Sequence, residues 1–360
     1  MTNIKGVPDL SDWPQNELEP IDKCPACSAT TGAPLYHDLT DRTFYCAPGK
    51  WKLYQCPECR TAYLNPRPTS ASIGLAYTTY YTHSVVGENE VKEVTRVNQI
   101  KYRLQHGYIN RRYKVGFPDA SVLGSFLVPF LPVQRSKADR VVRMLTKPKG
   151  GGRVLDIGCG SGDYLLLMQR LGWKVTGLDF DPAAVAACQS KGLEVFQGTL
   201  EEADLAENSF DAITLSHVIE HVPDPLSTLK ACFRLLKPGG EIYLETPNMD
   251  STGHANFREN WRGLEVPRHL AIFTPSSLAY TCQQAGFSVK RIGGVAGTFF
   301  LYEQSKAIEA GRRLNTEQEW VPIPPAMFRQ LKQEEVAGIR HPEKAGIFGM
   351  LAVKAPQNKI

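Results

Sequence analysis

The chain has 360 residues, enough for one large domain and a smaller one. Its apolar fraction of 42% and charged fraction of 22% are ordinary for a soluble globular protein, and a net charge of +4 is too small to argue by itself for a nucleic-acid partner. The polar opening residues, with Asp9, Asp12 and Glu17, carry no leader pattern, and the longest apolar stretch, Ser121–Val133, is too short to span a bilayer, so a cytoplasmic protein without a transmembrane segment is expected.

Residues 1–20 are polar and read as a partly ordered tail. Residues 21–68 hold Cys24-Pro-Ala-Cys27 and Cys56-Pro-Glu-Cys59, two C-x-x-C pairs with 28 residues between them. Each pair presents two thiolates from one tight turn, and two such turns make a tetrahedral sulfur cage for a structural Zn²⁺ with no open position for catalysis. Zinc would supply roughly 10 kcal/mol of folding free energy to a segment too small for its own core. Two disulfides or unpaired thiols are the rival reading. Thr43–Tyr45 and Trp51–Tyr54 are short β-prone runs, and Asn65-Pro66-Arg67-Pro68 bars helix and ladder alike and ends the ribbon. Cys46 and the cysteines of the helical segments are expected to pack as small apolar side chains.

Residues 69–146 read as a helical linker or lid. Ser70–Tyr81 is expected to be a short helix. Val91, Val94, Val97, Ile100, Leu104 and Tyr108 recur every three or four residues, the spacing of an amphipathic helix. Lys92–Lys114 carries seven basic residues against one acid, read as a solvated helix face, with a grip on an anionic small substrate or on RNA as the sharper alternatives. Ser121–Val133 is expected to pack inside, the alternatives being a greasy lid or a membrane-touching loop. Ser136–Thr146 reads as a helix leading into the core.

Residues 147–360 alternate as α/β. Strand runs are Arg153–Ile157, Lys174–Leu178, Glu194–Gln197, Asp211–Leu215, Glu241–Glu245, Phe287–Ile292 and Ile347–Lys354, with an insertion at about 301–346. The most informative text is VLDIGCGSGDYL, Val154 to Leu165: a strand closing on Asp156, then Gly158, Gly160 and Gly162 on alternate positions, then a helix start. The pattern D-x-G-x-G-x-G differs from the dinucleotide fingerprint G-x-G-x-x-G. An acid facing such a turn suits a ligand ammonium better than a pyrophosphate. Asp179 closes the next strand about 20 residues beyond the glycines, where an acid takes two ribose hydroxyls. These features point to an adenosyl ligand.

Four stretches, VLDIGCGSGDYL, VTGLDFDP, FDAITLSHVIEHVPDP and LLKPGGEIYLETPN, make residues 149–300 resemble a class I S-adenosylmethionine-dependent methyltransferase. The resemblance implies a Rossmann-like, seven-stranded, mostly parallel sheet with helices on both faces and an antiparallel last strand. It places the methionine part of S-adenosylmethionine on Asp156, Gly158 and Gly160, with Cys159 beside them, and the ribose on Asp179. Phe180, Thr199, Leu200, Ser216 and His217 are the further candidate cofactor residues. The family's acid that reads the adenine amino group is absent from Gly198-Thr199-Leu200-Glu201.

Ser216 to His221 follows the fourth strand directly and should line the pocket beside the reactive methyl. His221 suits a general base, with Glu220 to orient it or contact substrate. The alternative is a packing histidine in a stretch that shapes the methionine subsite. His217 to His221 also spells H-x-x-E-H, but Pro223 denies it the sustained helix a zinc protease needs. Some quinone-type O-methyltransferases carry an acid–acid–His metal cluster here; His217 stands in place of the first acid, so a divalent cation is not expected. The stretch Trp261 to Leu270 packs Trp261, Arg262, Glu265 and Arg268 beside the pocket as candidate substrate ligands, arginines being suited to a phosphate or carboxylate. His269 is the rival base. A surface loop anchored by Trp261 is the simpler alternative.

The whole layout, ribbon, N-P-R-P, core and P-R-H-L, resembles zinc-ribbon methyltransferases of bacterial polysaccharide and deoxysugar biosynthesis. Sugar C-methyltransferases of related layout carry a larger C-terminal domain, so O- or N-methylation of a sugar or glycoconjugate precursor, anionic or lipid-linked, is the function implied. The alternatives are an RNA methyltransferase and a non-catalytic S-adenosylmethionine-binding module.

Overall fold

The structure is a computed structural model describing residues 12–30, 32–77, 95–312, 314 and 323–356. In chain order the strands are β1 (Leu18–Glu19), β2 (Ala33–Leu39), β3 (Trp51–Gln55), β4 (Ala62–Leu64), β5 (Arg67–Pro68), β6 (Arg153–Ile157), β7 (Lys174–Asp179), β8 (Val195–Gln197), β9 (Phe210–Ser216), β10 (Leu236–Pro247), β11 (Ala271–Ile272), β12 (Phe287–Gly294) and β13 (Ile347–Lys354). The helices are α1 (Arg96–Tyr113), α2 (Gly124–Leu127), α3 (Pro132–Val141), α4 (Asp163–Arg170), α5 (Pro182–Ser190), α6 (Pro225–Leu235), α7 (Thr252–Phe257), α8 (Pro275–Gln284), α9 (Phe299–Glu309) and α10 (Pro325–Arg340).

Seven strands form the main sheet in the order β12-β13-β10-β9-β6-β7-β8. β8, β7, β6, β9 and β10 run parallel, and β13 lies antiparallel between β10 and β12. The central strands carry Leu155, Ile157, Ile213, Leu215, Ile242 and Leu244, all buried, as a sheet covered on both faces requires. The strand order reverses between β6 and β9. The crevice beyond their carboxyl ends is therefore the place for a ligand. Helix starts are specified locally. Asp181 and Asp224 accept the N–H groups of Ala183 and Ser227, each with a proline at the first helical position.

The small sheet has the order β11-β4-β3-β2, so its edge strand comes from the far side of the chain, Ala271–Ile272. Cys24, Ala26, Cys56 and Tyr63 pack into the same core cluster as Phe273 and Leu278. The ribbon is thus stitched into the main domain by backbone pairing and by shared core.

Several expected elements differ. Thr43–Tyr45 forms no strand, because the Asp41 carboxylate accepts the N–H groups of Thr43, Phe44, Cys46 and Ala47 and curls the chain around itself. Within Ser70–Tyr81 the structure has a 3₁₀ turn, Ile73–Tyr77, and residues 78–81 lie outside those described. The expected helix Ser136–Thr146 starts earlier, at Pro132, and ends before Arg143 and Met144, both with positive φ. The fifth strand begins at Leu236 and absorbs Lys237-Pro-Gly-Gly240 through an irregularity in its pairing with β9. α1 begins at Arg96; Val91 and Val94 of the expected stripe lie outside the described residues, and Val97 and Ile100 are exposed rather than packed. The expected burial of Ser121–Val133 is also overturned: Val122, Leu123, Phe126, Leu127, Phe130 and Leu131 are exposed.

Candidate functional site

β6 delivers the chain to the crevice and the glycine turn redirects it into α4. Gly158, Gly160 and Gly162 have φ of 69°, 53° and 78°, the left-handed region that glycine enters without a Cβ clash. The Gly160 N–H donates to Asp179 Oδ2 at 2.8 Å and the Asp181 N–H to Asp179 Oδ1 at 3.0 Å. The Asp179 carboxylate is thereby held facing the turn, and each oxygen keeps a lone pair for a hydroxyl. Phe180, more than half exposed, meets Tyr77 edge to face at 5.4 Å. Thr199 follows β8 and donates its N–H to Glu202; Leu200 beside it is buried. Cys159 is buried against Cys188, and burial pushes its thiol well above the usual range.

Asp156 does not stand open in the turn. Its Oδ1 accepts from Arg143 and from Thr214, while its Oδ2 is buried with no hydrogen-bond partner. Burial pushes this carboxyl upward and Arg143 opposes the shift. The orphaned oxygen fits a ligand ammonium group, which would supply the missing donor. Ser216 ends β9. His217 adopts φ of 55° and bridges two carboxylates, Nδ1 to Glu220 at 3.3 Å and Nε2 to Glu245 at 3.3 Å. Burial alone would discharge the ring, but the hydrogen bonds and charges of Glu220 and Glu245 win and raise it to about 10. Arg140 grips Glu245 through Nε and Nη2, and Tyr243 donates to it at 2.6 Å. Burial pushes the Glu245 carboxyl up; His217 and Arg140 nevertheless hold it well below the usual carboxylate range.

Next along the turn, His221 is half-buried. Its Nδ1 lies 2.9 Å from the Arg268 carbonyl, which only accepts, so Nδ1 carries the proton and Nε2 the lone pair. The Tyr77 hydroxyl is 3.1 Å from the same nitrogen. His269 packs edge to face on His221 with centroids 4.8 Å apart. Its Nδ1 faces the Gly263 carbonyl at 2.8 Å, which fixes the same tautomer. Burial lowers its pKa to about 4, so the ring stays neutral. Glu220 is fully buried, with Oε2 lacking a hydrogen-bond partner. One ligand atom from each of Glu220, His221 and His269 lies within 4.8 Å of the others. Sequence reasoning treated the two histidines as rivals; the fold brings them together.

The arginines expected to hold a substrate anion are committed elsewhere. Arg268 is fully buried and donates to Asp41 (Nη2 to Oδ1, 2.6 Å; Nη1 to Oδ2, 3.0 Å) and to Glu265 (3.1 Å). Arg262 pairs with Glu265 and with Gln304. Trp261 is 2% exposed and closes over Gly263, where a Cβ would lie 2.3 Å from the indole. The stretch is a fastener between ribbon and core. Its polar groups are dense because they satisfy one another, and the ribbon's Asp41, distant in sequence, supplies the counter-charge.

The four ribbon cysteines converge. Cys24 and Cys59 sulfurs are 3.6 Å apart and Cys27 and Cys56 sulfurs 3.5 Å, close to the roughly 3.8 Å edge of a tetrahedron with metal–sulfur bonds of about 2.3 Å. The two turns match: Ser28 and Arg60, each four residues past the first cysteine of its pair, have φ of 62° and 65° and return an N–H to that cysteine's carbonyl. None of the nine cysteines forms a disulfide.

Residues 132–292 match a family described as a methyltransferase domain. The ubiquinone biosynthesis O-methyltransferase of Pseudomonas fluorescens Pf-5 is 35% identical over 158 residues, 40% of this chain and 68% of that protein. The chain belongs to the S-adenosylmethionine-dependent methyltransferase family. The methyltransferase is also 46% identical over 105 residues to the ubiquinone biosynthesis O-methyltransferase of Xanthomonas oryzae pv. oryzae PXO99A; those residues are 27% of this chain and span only 44% of that relative's length. Among solved structures, a Mesorhizobium loti S-adenosylmethionine-dependent methyltransferase is similar at a TM-score of 0.42 and 16% identity, over 61% of this chain and 97% of that one. An Archaeoglobus fulgidus methyltransferase is similar at a TM-score of 0.39 and 21% identity, over 68% and 98%. At those scores the fold rests on the methyltransferase's own strand order. Its relatives named here are not sugar enzymes, so the polysaccharide resemblance gains no support from them. Four members of the site escaped sequence reasoning: Asp41, Arg140, Arg143 and Glu245. Glu245 alone left a signal, an acid ending an apolar strand as Asp179 does.

Proposed function

We propose that the enzyme methylates a hydroxyl oxygen of a small metabolite, with His221 as the base. The carrying observation is the fixed tautomer of His221, whose Nε2 lone pair is free for an acceptor proton while Arg268 and Tyr77 hold the other nitrogen. Bound S-adenosylmethionine supplies a methyl on a sulfonium, an electrophile that needs orientation more than activation. Asp179 takes the ribose hydroxyls, Asp156 Oδ2 the ammonium, and the left-handed glycines let the ligand approach the backbone. His221 removes the hydroxyl proton as the acceptor oxygen takes the methyl. Buried Glu220 and neutral His269 stabilise the imidazolium that results. The relatives' naming as O-methyltransferases of ubiquinone biosynthesis supports oxygen as the acceptor atom. The Cys24, Cys27, Cys56 and Cys59 cluster is read as a structural zinc site.

The convergence of Glu220, His221 and His269 favours a second reading, in which a divalent cation held there lowers the hydroxyl's pKa. Transfer of labelled methyl to a cell-extract metabolite pool, with and without chelator, separates the two. His221→Gln is expected to cut turnover by about 10²- to 10⁴-fold with cofactor affinity unchanged, and Asp179→Ala to abolish cofactor binding in calorimetry. Full turnover in His221→Gln would sink the base assignment. Loss on chelation that Mg²⁺ or Mn²⁺ restores would establish the cation reading.

A further inference from the structure

The most unusual surface of the molecule lies away from the crevice. Between α1 and α3 the chain exposes Val122 (75%), Leu123 (65%), Phe126 (57%) and Phe130 (83%), with Leu127 and Leu131 beside them. Large apolar side chains this exposed, grouped within ten residues, are not scattered surface hydrophobics. They share their face with cations. A cleft of about 920 Å³ is lined by Phe126 and Phe130 together with Arg111, Arg112, Lys114 and Arg135. Arg111 stacks on the Phe126 ring, 5.1 Å from its centroid. Between Arg96 and Lys147 the sequence has two acids, Asp119 and Asp139; Arg140 and Arg143 are taken up by Glu245 and Asp156, whereas Arg111, Arg112, Lys114 and Arg135 line the cleft. Asp139 is buried under Tyr108, Tyr113 and Arg291, and Asp119 pairs with His106, so neither neutralises the cleft's other cations.

We infer that this face is a docking surface for an anionic lipid bilayer. Charge selects the partner: the cleft's cations suit lipid phosphates, and the most exposed side chains of the stretch, Phe130 and Val122, suit the acyl boundary rather than water. A stretch that only covered a nucleic-acid groove would present cations outermost and aromatic faces between them; here the aliphatic Val122 and Leu123 are among the most exposed side chains, beside Phe130. No helix among the described residues is long and apolar enough to cross a membrane, so the contact is interfacial. The surface also connects to chemistry. α3 begins one residue beyond Leu131 and ends near the pocket, where Arg140 holds Glu245 and Arg143 holds Asp156. A bilayer that anchors the start of α3 thus steadies the wall of the cofactor crevice.

The test is co-sedimentation of the full chain with vesicles of phosphatidylcholine alone or mixed with phosphatidylglycerol. Anionic vesicles are expected to bind the chain, neutral ones at least tenfold more weakly, and rising salt to weaken the bound fraction. Phe126→Ser with Phe130→Ser, and separately Arg111→Glu with Arg112→Glu, should each lower the anionic partition by about tenfold or more while circular dichroism and cofactor affinity stay unchanged. Failure of the wild type to bind either vesicle would overturn the inference. So would binding indifferent to lipid charge, single-stranded RNA binding that survives the Phe variant, or a dimer that the Phe variant splits while vesicle binding is absent. Cofactor affinity, read on the same samples, separates failure of this surface from failure of the methyltransferase reading.

Discussion

Asp41 ties the ribbon's backbone to the core through a single carboxylate. One carboxylate caps four backbone N–H groups and pairs with a guanidinium that has no exposure to water. Burial opposes its charge, but Arg268 and those N–H groups keep its pKa below the ordinary value. Removing one partner of a buried pair leaves the other uncompensated, at a cost of about 3–5 kcal/mol. Asp41→Asn should therefore lower the free energy of unfolding by about that amount, as urea denaturation would show. It should also reduce turnover, because the Arg268 carbonyl that orients His221 moves with its side chain's anchor. A stable and fully active variant would show that the fastener is redundant.

At the scale of elements, the loop after β9 ties together two strand ends and a helix. His217 donates to Glu220 on its own turn and to Glu245 at the end of β10, and Arg140 of α3 completes the chain of charges. This has a pH signature. The folded-state pKa of about 10 exceeds the unfolded value of roughly 6.5, so the group favours the folded state fully below about pH 6.5 and loses that contribution as pH rises through 10. The wild type should lose thermal stability over that window by more than His217→Gln does. Parallel melting curves of the two proteins between pH 6.5 and 10 would contradict the bridge. The difference between the proteins, rather than either curve, isolates His217 from other titrating side chains.

For the whole molecule, the ribbon and the catalytic unit share a sheet, a core and an ion-pair network. β11 pairs with β4 just after His269, so disorder in the ribbon reaches, within two residues, the ring that packs on the proposed base His221. Cys24→Ser is expected to lower the zinc content per chain, measured by atomic absorption, and to lower methyl transfer as well as melting temperature. Metal-free wild-type protein of full stability would remove the zinc assignment.

Local text was enough for the parallel sheet, the glycine turn, the position of Asp179 beside that turn and the paired cysteine turns, because each depends on neighbours within a few residues: strand, turn, helix, or two thiols on one bend. The periodicity of Val97 and Ile100 and the apolar run Ser121–Val133 misled, since hydrophobic spacing reports what a segment is able to bury and not whether anything comes to bury it. The roles of Arg262 and Arg268 were undecidable in one dimension. Whether an arginine meets a substrate or an internal carboxylate depends on which distant acid the fold delivers, and Asp41, 227 residues from Arg268, arrives only through the stitching of β11 to the ribbon. Likewise two histidines 48 positions apart became neighbours because β9 and the strand-end loop after β10 converge on one crevice. Residue chemistry set by local pattern was readable from the chain; residue chemistry set by partners was decided by long-range packing.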